Sequence, residues 1–218
     1  MESQFEHSKT FRYRILNEGT KAKKALYVLH GYGQLVEYFI QKFRHLSEEY
    51  VIIAPEGMHR FYLRGTSGRV GASWMTKEAR ETDISDTLSY LDALDAKISS
   101  EYDFEQKYLL GFSQGGATAA RWNQLGASNF DALILWASVF PPDLPNTIHS
   151  AATVNSETDH KSSNYFVIGH EDEFYSAVNQ DKLIEAYLSK KYRIKRYKGR
   201  HDIVNNTLTE ILDELSIK

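Results

Sequence analysis

The sequence contains no cysteine. That absence excludes a disulfide framework, a thiolate metal site and a cysteine nucleophile, so any covalent chemistry falls to oxygen and nitrogen side chains. Long apolar runs are also missing: none approaches the ~20 residues that a membrane-spanning helix needs. The first residues, Met1 to His7, lack the basic start and apolar stretch of a signal peptide. The expectation is a cytoplasmic protein with no membrane span. Neither charge sign dominates. Lys and Arg together number 26 against 29 Asp and Glu, for a net charge of -3, and the basic residues are scattered, so there is no electrostatic footprint for nucleic acid. Proline is scarce. Three of the four prolines fall in the Ser-, Thr- and Asn-rich stretch 141–163, which reads as a surface excursion. There is no internal repeat, low-complexity tract or linker. At 218 residues and 42% hydrophobic, the chain is expected to be a single domain, 1–218, around one sizeable core.

What is present is a series of short, nearly continuous apolar runs: Ala25 to Leu29, Tyr50 to Ala54, Tyr108 to Phe112, Ala132 to Trp136 and Tyr165 to Ile168. Runs of this length, separated by helical patterns, predict a mostly parallel sheet with helices on both faces. Ile84, Leu88, Leu91, Leu94 and Ile98 keep to one helical face, as do Val178, Leu183, Tyr187 and Leu188, and then Ile203, Leu208, Ile211, Leu212 and Leu215. These stripes are core. Phe11, Tyr13 and Ile15 alternate with arginines as in a half-exposed edge strand, and Arg193 to Tyr197 predicts a short last strand.

The run Tyr108-Leu109-Leu110 passes through Gly111-Phe112-Ser113-Gln114-Gly115 into small, helix-compatible residues. Strand, sharp turn and helix form the context of a nucleophile elbow, in which a strained backbone exposes the serine hydroxyl. Ser113 is the candidate nucleophile. It needs a base, and the base needs a group to fix its tautomer; after such an elbow these follow in the order acid, then histidine. The strand ending at Ile168 leads into Gly169-His170-Glu171-Asp172-Glu173, where the acid belongs. Asp172 is preferred, since Asp is the commoner orienting carboxylate and its two acidic neighbours can stay solvated; His170 precedes the acids and is a loop residue. Beyond this loop His201 is the single histidine, and so the base.

An oxyanion hole needs two backbone N–H groups. Gln114, directly after the serine, supplies one, and Tyr32, in the loop Leu29-His30-Gly31-Tyr32-Gly33-Gln34, is chosen for the other. The connection at about 55–75, with four glycines and no clear period, reads as a functional loop insertion. Phe61, Tyr62 and Trp74 are expected to line the substrate pocket. Arg60, Arg64 and Arg69 suit either an anionic group on the substrate or a solvated loop surface.

These motifs together resemble the α/β-hydrolases, and within them the phospholipase/carboxylesterase group that includes the acyl-protein thioesterases. Leu29-His30-Gly31-Tyr32-Gly33 is similar to that group's oxyanion loop, Gly111 to Gly116 to its nucleophile hexapeptide, and Ala72-Ser73-Trp74 to its serine-tryptophan; Asp172 and His201 stand where the group carries acid and base. The resemblance covers about residues 25 to 205. It departs at Tyr32 and Gln34, where the group often has an apolar residue and an Asp, and in the arginine- and aromatic-rich insertion. It implies an α/β-hydrolase fold and a serine carboxylesterase for small-molecule esters or thioesters, whose mechanism requires no metal or cofactor; the aromatic residues of the insertion, which fill volume, are what predicts short to medium acyl chains. The alternatives are a lysophospholipase or acyl-protein thioesterase, and a non-catalytic ligand receptor on the same fold.

Overall fold

The computed structural model describes residues 3–144 and 163–217. Most of the 141–163 excursion lies outside the described residues. Seven strands form one sheet in the order β1 (Tyr13–Leu16), β3 (Tyr50–Pro55), β2 (Lys24–Leu29), β6 (Gln106–Phe112), β7 (Ala132–Trp136), β8 (Tyr165–Gly169) and β9 (Arg193–Tyr197). Only the edge strand β1 runs antiparallel, against β3; every other pairing is parallel. The β-rich apolar runs are buried on both faces, as parallel strands covered by helices must be.

Alternation along the strands divides the core in two. Leu26 and Val28 of β2, with Ile52, Leu110 and Ile134, face α1 (Val36–Phe39), its 3-10 continuation over Ile40–Leu46, and α5 (Asn205–Ser216). Tyr27 and Leu29, with Ile53, Leu109 and Leu133, face α2 (Arg80–Glu101), α3 (Gln114–Leu125) and α4 (Ala177–Ser189). The chain goes from β2 to β3 on one side and returns to β6 on the other. The crevice beyond the carboxyl ends of β2 and β6 is therefore a topological switch point, where open α/β sheets hold their ligands.

The connection expected to be irregular is instead a two-stranded antiparallel hairpin, β4 (His59–Tyr62) and β5 (Val70–Ser73). Its tip turns on Gly65 and Gly68, at φ 60° and 88°, values that only glycine adopts without strain. Gln34 forms a bridge to Ala72, and Gly33 N–H donates to the Ala72 carbonyl at 2.8 Å. The hairpin is thus fastened along the loop that follows β2.

Candidate active site

The end of β6 delivers Ser113 at φ 54° and ψ -120°, a region that a side-chain-bearing residue occupies only when its surroundings hold it there. Those surroundings are in place. The Ser113 N–H donates to the Trp136 carbonyl at 2.8 Å, and its carbonyl accepts from Gly116 at 2.9 Å. The turn is tight enough to require glycine at 115, where a Cβ would sit 2.4 Å from the His30 carbonyl oxygen.

Asp172 and His201 come from the loops after β8 and β9. The two are joined: His201 Nδ1 lies 2.7 Å from Asp172 Oδ2. Asp172 Oδ1 accepts the Phe174 N–H at 3.0 Å, so a buried carboxylate has both oxygens engaged. The imidazole is sandwiched by Phe112, the residue before Ser113, at 4.8 Å between centroids, and by Phe174 at 4.5 Å. Its loop is pinned from below. Trp136 Nε1 donates to the Asp202 carbonyl at 2.9 Å, and Lys42 Nζ pairs with Asp202 Oδ1 at 2.6 Å. Of the flanking acids, Glu171 and Glu173 are exposed. Glu173 accepts the backbone N–H of His201 at 3.2 Å; its own backbone N–H and that of His201 hold its carboxyl below the ordinary range.

The loop after β2 distributes its amides unevenly. Gly31 N–H donates to Gln34 Oε1 at 2.8 Å, Gly33 N–H to Ala72, and Gln34 N–H to the Gly31 carbonyl at 3.2 Å. Among the described residues the Tyr32 N–H alone of these four has no partner. The Gln114 N–H stands at the first position of α3, where no intrahelical acceptor exists.

Two side chains carry more than the sequence disclosed. Gln114 reaches back to the end of the hairpin and the two residues after it: its Oε1 accepts the Trp74 N–H at 3.2 Å, and its Nε2 donates to Ser73 Oγ at 2.9 Å and the Met75 carbonyl at 3.1 Å. His30 is fully buried. Its Nε2 accepts the Gly57 N–H at 2.9 Å, which leaves the proton on Nδ1 to donate to the Gly31 carbonyl at 2.8 Å; burial lowers its pKa to about 4. His30 therefore ties the base of the hairpin to the loop carrying Tyr32. The signal was its position at the end of a buried strand, which offers a histidine no water.

The three aromatic residues expected to line the pocket sit in different surroundings. Trp74 is 1% exposed and belongs to the core; its ring packs on His30 at 4.9 Å and its Nε1 donates to the His30 carbonyl at 2.8 Å. Tyr62 is on the outward face of β4 and half exposed. Phe61 faces inward, against the Tyr32 ring at 5.0 Å. Arg60 lies 3.4 Å from Glu56, and Arg64 and Arg69 are exposed. Among the described residues no group of three His, Asp or Glu side chains is arranged to hold a metal, and no helix is long and apolar enough to cross a membrane.

A mostly parallel sheet with a strained serine at a strand-to-helix elbow, an aspartate after β8 and a histidine after β9 is the arrangement of an α/β hydrolase. A family model for serine hydrolases (FSH1) matches residues 20–209, and the chain belongs to that family. The fold recurs in a carboxylesterase from Mesorhizobium loti, 16% identical, with a TM-score of 0.68 over 94% of each chain. It recurs in acyl-protein thioesterase 2 from Zea mays, also 16% identical, with a TM-score of 0.67 over 94% of this chain and 98% of that one. The carboxylesterase of Bacillus cereus is 13% identical, with a TM-score of 0.63 over 95% of this chain and 94% of its own. No curated protein sequence matches the chain.

Proposed function

We propose that the protein is a carboxylesterase acting on small-molecule esters of short to medium acyl chains. The observation that carries this reading is the bonded pair Asp172–His201, with the imidazole packed on Phe112 immediately before the strained Ser113. In the mechanism, Ser113 Oγ attacks the acyl carbon while His201 Nε2 takes the hydroxyl proton, and Asp172 holds the imidazole with its Nδ1 protonated and stabilises the imidazolium. The carbonyl oxygen, now negative, is received by the Tyr32 and Gln114 N–H groups. Collapse of the intermediate expels the alcohol, which leaves with the proton from His201. Water attacks the acyl-enzyme in the same way, and the carboxylic acid departs as Ser113 regains its proton.

A fluorophosphonate should label wild-type protein and leave Ser113→Ala untouched. The same variant should lose about three orders of magnitude or more in turnover of a p-nitrophenyl ester, as removal of one triad member does elsewhere. A folded Ser113→Ala retaining a tenth of wild-type activity would refute the assignment. An ester series from acetate to palmitate tests chain length. The Phe61–Tyr32 ring pair stands beside the candidate oxyanion donor, and on this reading kcat/KM should fall at the longest chains; a steady climb would favour the lysophospholipase or thioesterase reading.

A further inference from the structure

A cleft of about 700 Å³ opens beside the reaction site, lined by Gly33, Gln34, Leu35, Tyr38, Phe39, Lys42, Arg69 and Val70. None of Ser113, Asp172 and His201 lines it, yet its walls touch the neighbours of Tyr32, Ser113 and His201. Gly33 follows Tyr32 in the loop. Phe39 packs on Phe112, with ring centroids 6.1 Å apart, and Lys42 holds Asp202, the residue after His201. The floor is apolar, from Leu35, Phe39 and Val70.

The charges in this cleft are of one sign. Lys42 and Arg69 are both cationic, and no acidic side chain lines the space. Lys42 shares its charge with Asp202, but the Arg69 guanidinium has no side-chain partner among the described residues. The backbone of Arg69 is held by the hairpin, since its carbonyl accepts the Leu63 N–H at 2.8 Å, and its side chain is exposed at the cleft. Arg60, by contrast, is paired with Glu56, and Arg64, nearer the tip, is not part of the lining. An apolar floor under an uncompensated guanidinium suits a short hydrocarbon ending in a carboxylate, because that fork matches a carboxylate in two parallel hydrogen bonds.

Building on the esterase reading, we propose that the preferred substrates are esters bearing a carboxylate, recognised in this cleft by Arg69 with Lys42 in support. The carboxylate can belong to the acyl part or to the leaving alcohol, and matched pairs of esters distinguish the two. Monomethyl glutarate is compared with methyl pentanoate for the acyl side, and 4-(butanoyloxy)benzoate with phenyl butanoate for the alcohol side, by titrating the acid released. The expected result is that one anionic ester outperforms its neutral partner. In Arg69→Gln the anionic-to-neutral ratio of kcat/KM should then fall about tenfold, mostly through KM, as loss of a charge-assisted bond implies, whereas Arg64→Gln should leave the ratio in place. A ratio unmoved by Arg69→Gln, or moved equally by Arg64→Gln, would overturn the subsite. Binding is measured independently of turnover by calorimetry, with glutarate and 4-hydroxybenzoate as probes on Ser113→Ala and on Ser113→Ala combined with Arg69→Gln. At least one probe should bind about tenfold more weakly to the double variant. Equal binding of both overturns the proposal even if none of the four esters is hydrolysed, while absence of both fluorophosphonate labelling and p-nitrophenyl ester turnover refutes the esterase reading.

Discussion

Asp172 shows how one side chain can be committed in two directions. Its Oδ1 is held by the backbone of its own loop, which orients Oδ2 toward His201. Replacing it by asparagine keeps the shape and the Phe174 contact, but puts an amide where an acceptor is needed or forces the imidazole into the other tautomer. Asp172→Asn is therefore expected to lower kcat/KM by about three to four orders of magnitude. Glu171→Gln should be nearly silent, because that side chain is exposed. Glu173→Gln should have a small effect, since an amide oxygen can still accept the His201 N–H that Glu173 now accepts. Measuring kcat/KM for the three variants side by side decides among them; if a glutamate variant shows the largest loss, the orienting carboxylate is misassigned.

Among elements, the hairpin is the one whose position matters most for the chemistry. Gly71 of β5 lies so close to the loop after β2 that a Cβ there would be 2.4 Å from the Gly33 carbonyl oxygen. Both partners in that contact are backbone, and neither can turn aside. Gly71→Ala should therefore displace the Tyr32 N–H while the seven-stranded sheet, which lies outside this contact, keeps its structure. A loss in kcat of about a hundredfold, the usual effect of removing one oxyanion donor, is expected with an unchanged far-ultraviolet dichroism spectrum. Activity within a factor of two of wild type would overturn the assignment of Tyr32 as the second donor. The hairpin was also the least legible element in the sequence. Its strands are four residues long and mix His59 and Arg60 with Phe61 and Tyr62, too short and too polar for a period of two to stand out, and the four glycines of the segment read only as a loop. Residues 36–46 left no helical pattern either, since a single α turn passes there into a 3-10 helix, which repeats every three residues. The five inner strands of the main sheet were legible because each carries an apolar run buried on both faces; the partly buried edge strands were legible from the alternation in β1 and from the place of β9 before the last helix. The Ser113, Asp172 and His201 positions were legible because strand ends and chain order left few choices. The burial of Trp74 was not, because it depends on α2 and on His30, which meet it only in the fold.

At the scale of the whole molecule, the fold seals His30 from water among Gly31, Gly57, Trp74 and Phe39, and this links stability to pH. In the folded protein His30 is neutral, with its pKa lowered by burial to about 4, whereas in the unfolded chain a histidine titrates near 6.5. Above about pH 7 neither state binds the proton and stability is at its full value. As pH falls from 6.5 toward 4 the unfolded chain gains a proton that the folded protein refuses, and stability declines across that window; the cost is about 2 kcal/mol between pH 7.5 and pH 5. Asp143, held by Arg121 and Arg80 well below the carboxylate range, contributes at lower pH and does not overlap it. Urea unfolding of the wild type should thus show a lower free energy at pH 5 than at pH 7.5. His30→Gln, which has nothing to titrate, is expected to be less stable at pH 7.5 through loss of the ring contacts, but to lose about 2 kcal/mol less than the wild type between the two pH values. Equal losses in both proteins would show that other groups set the acid sensitivity and that His30 is protonated in the fold more readily than its burial implies.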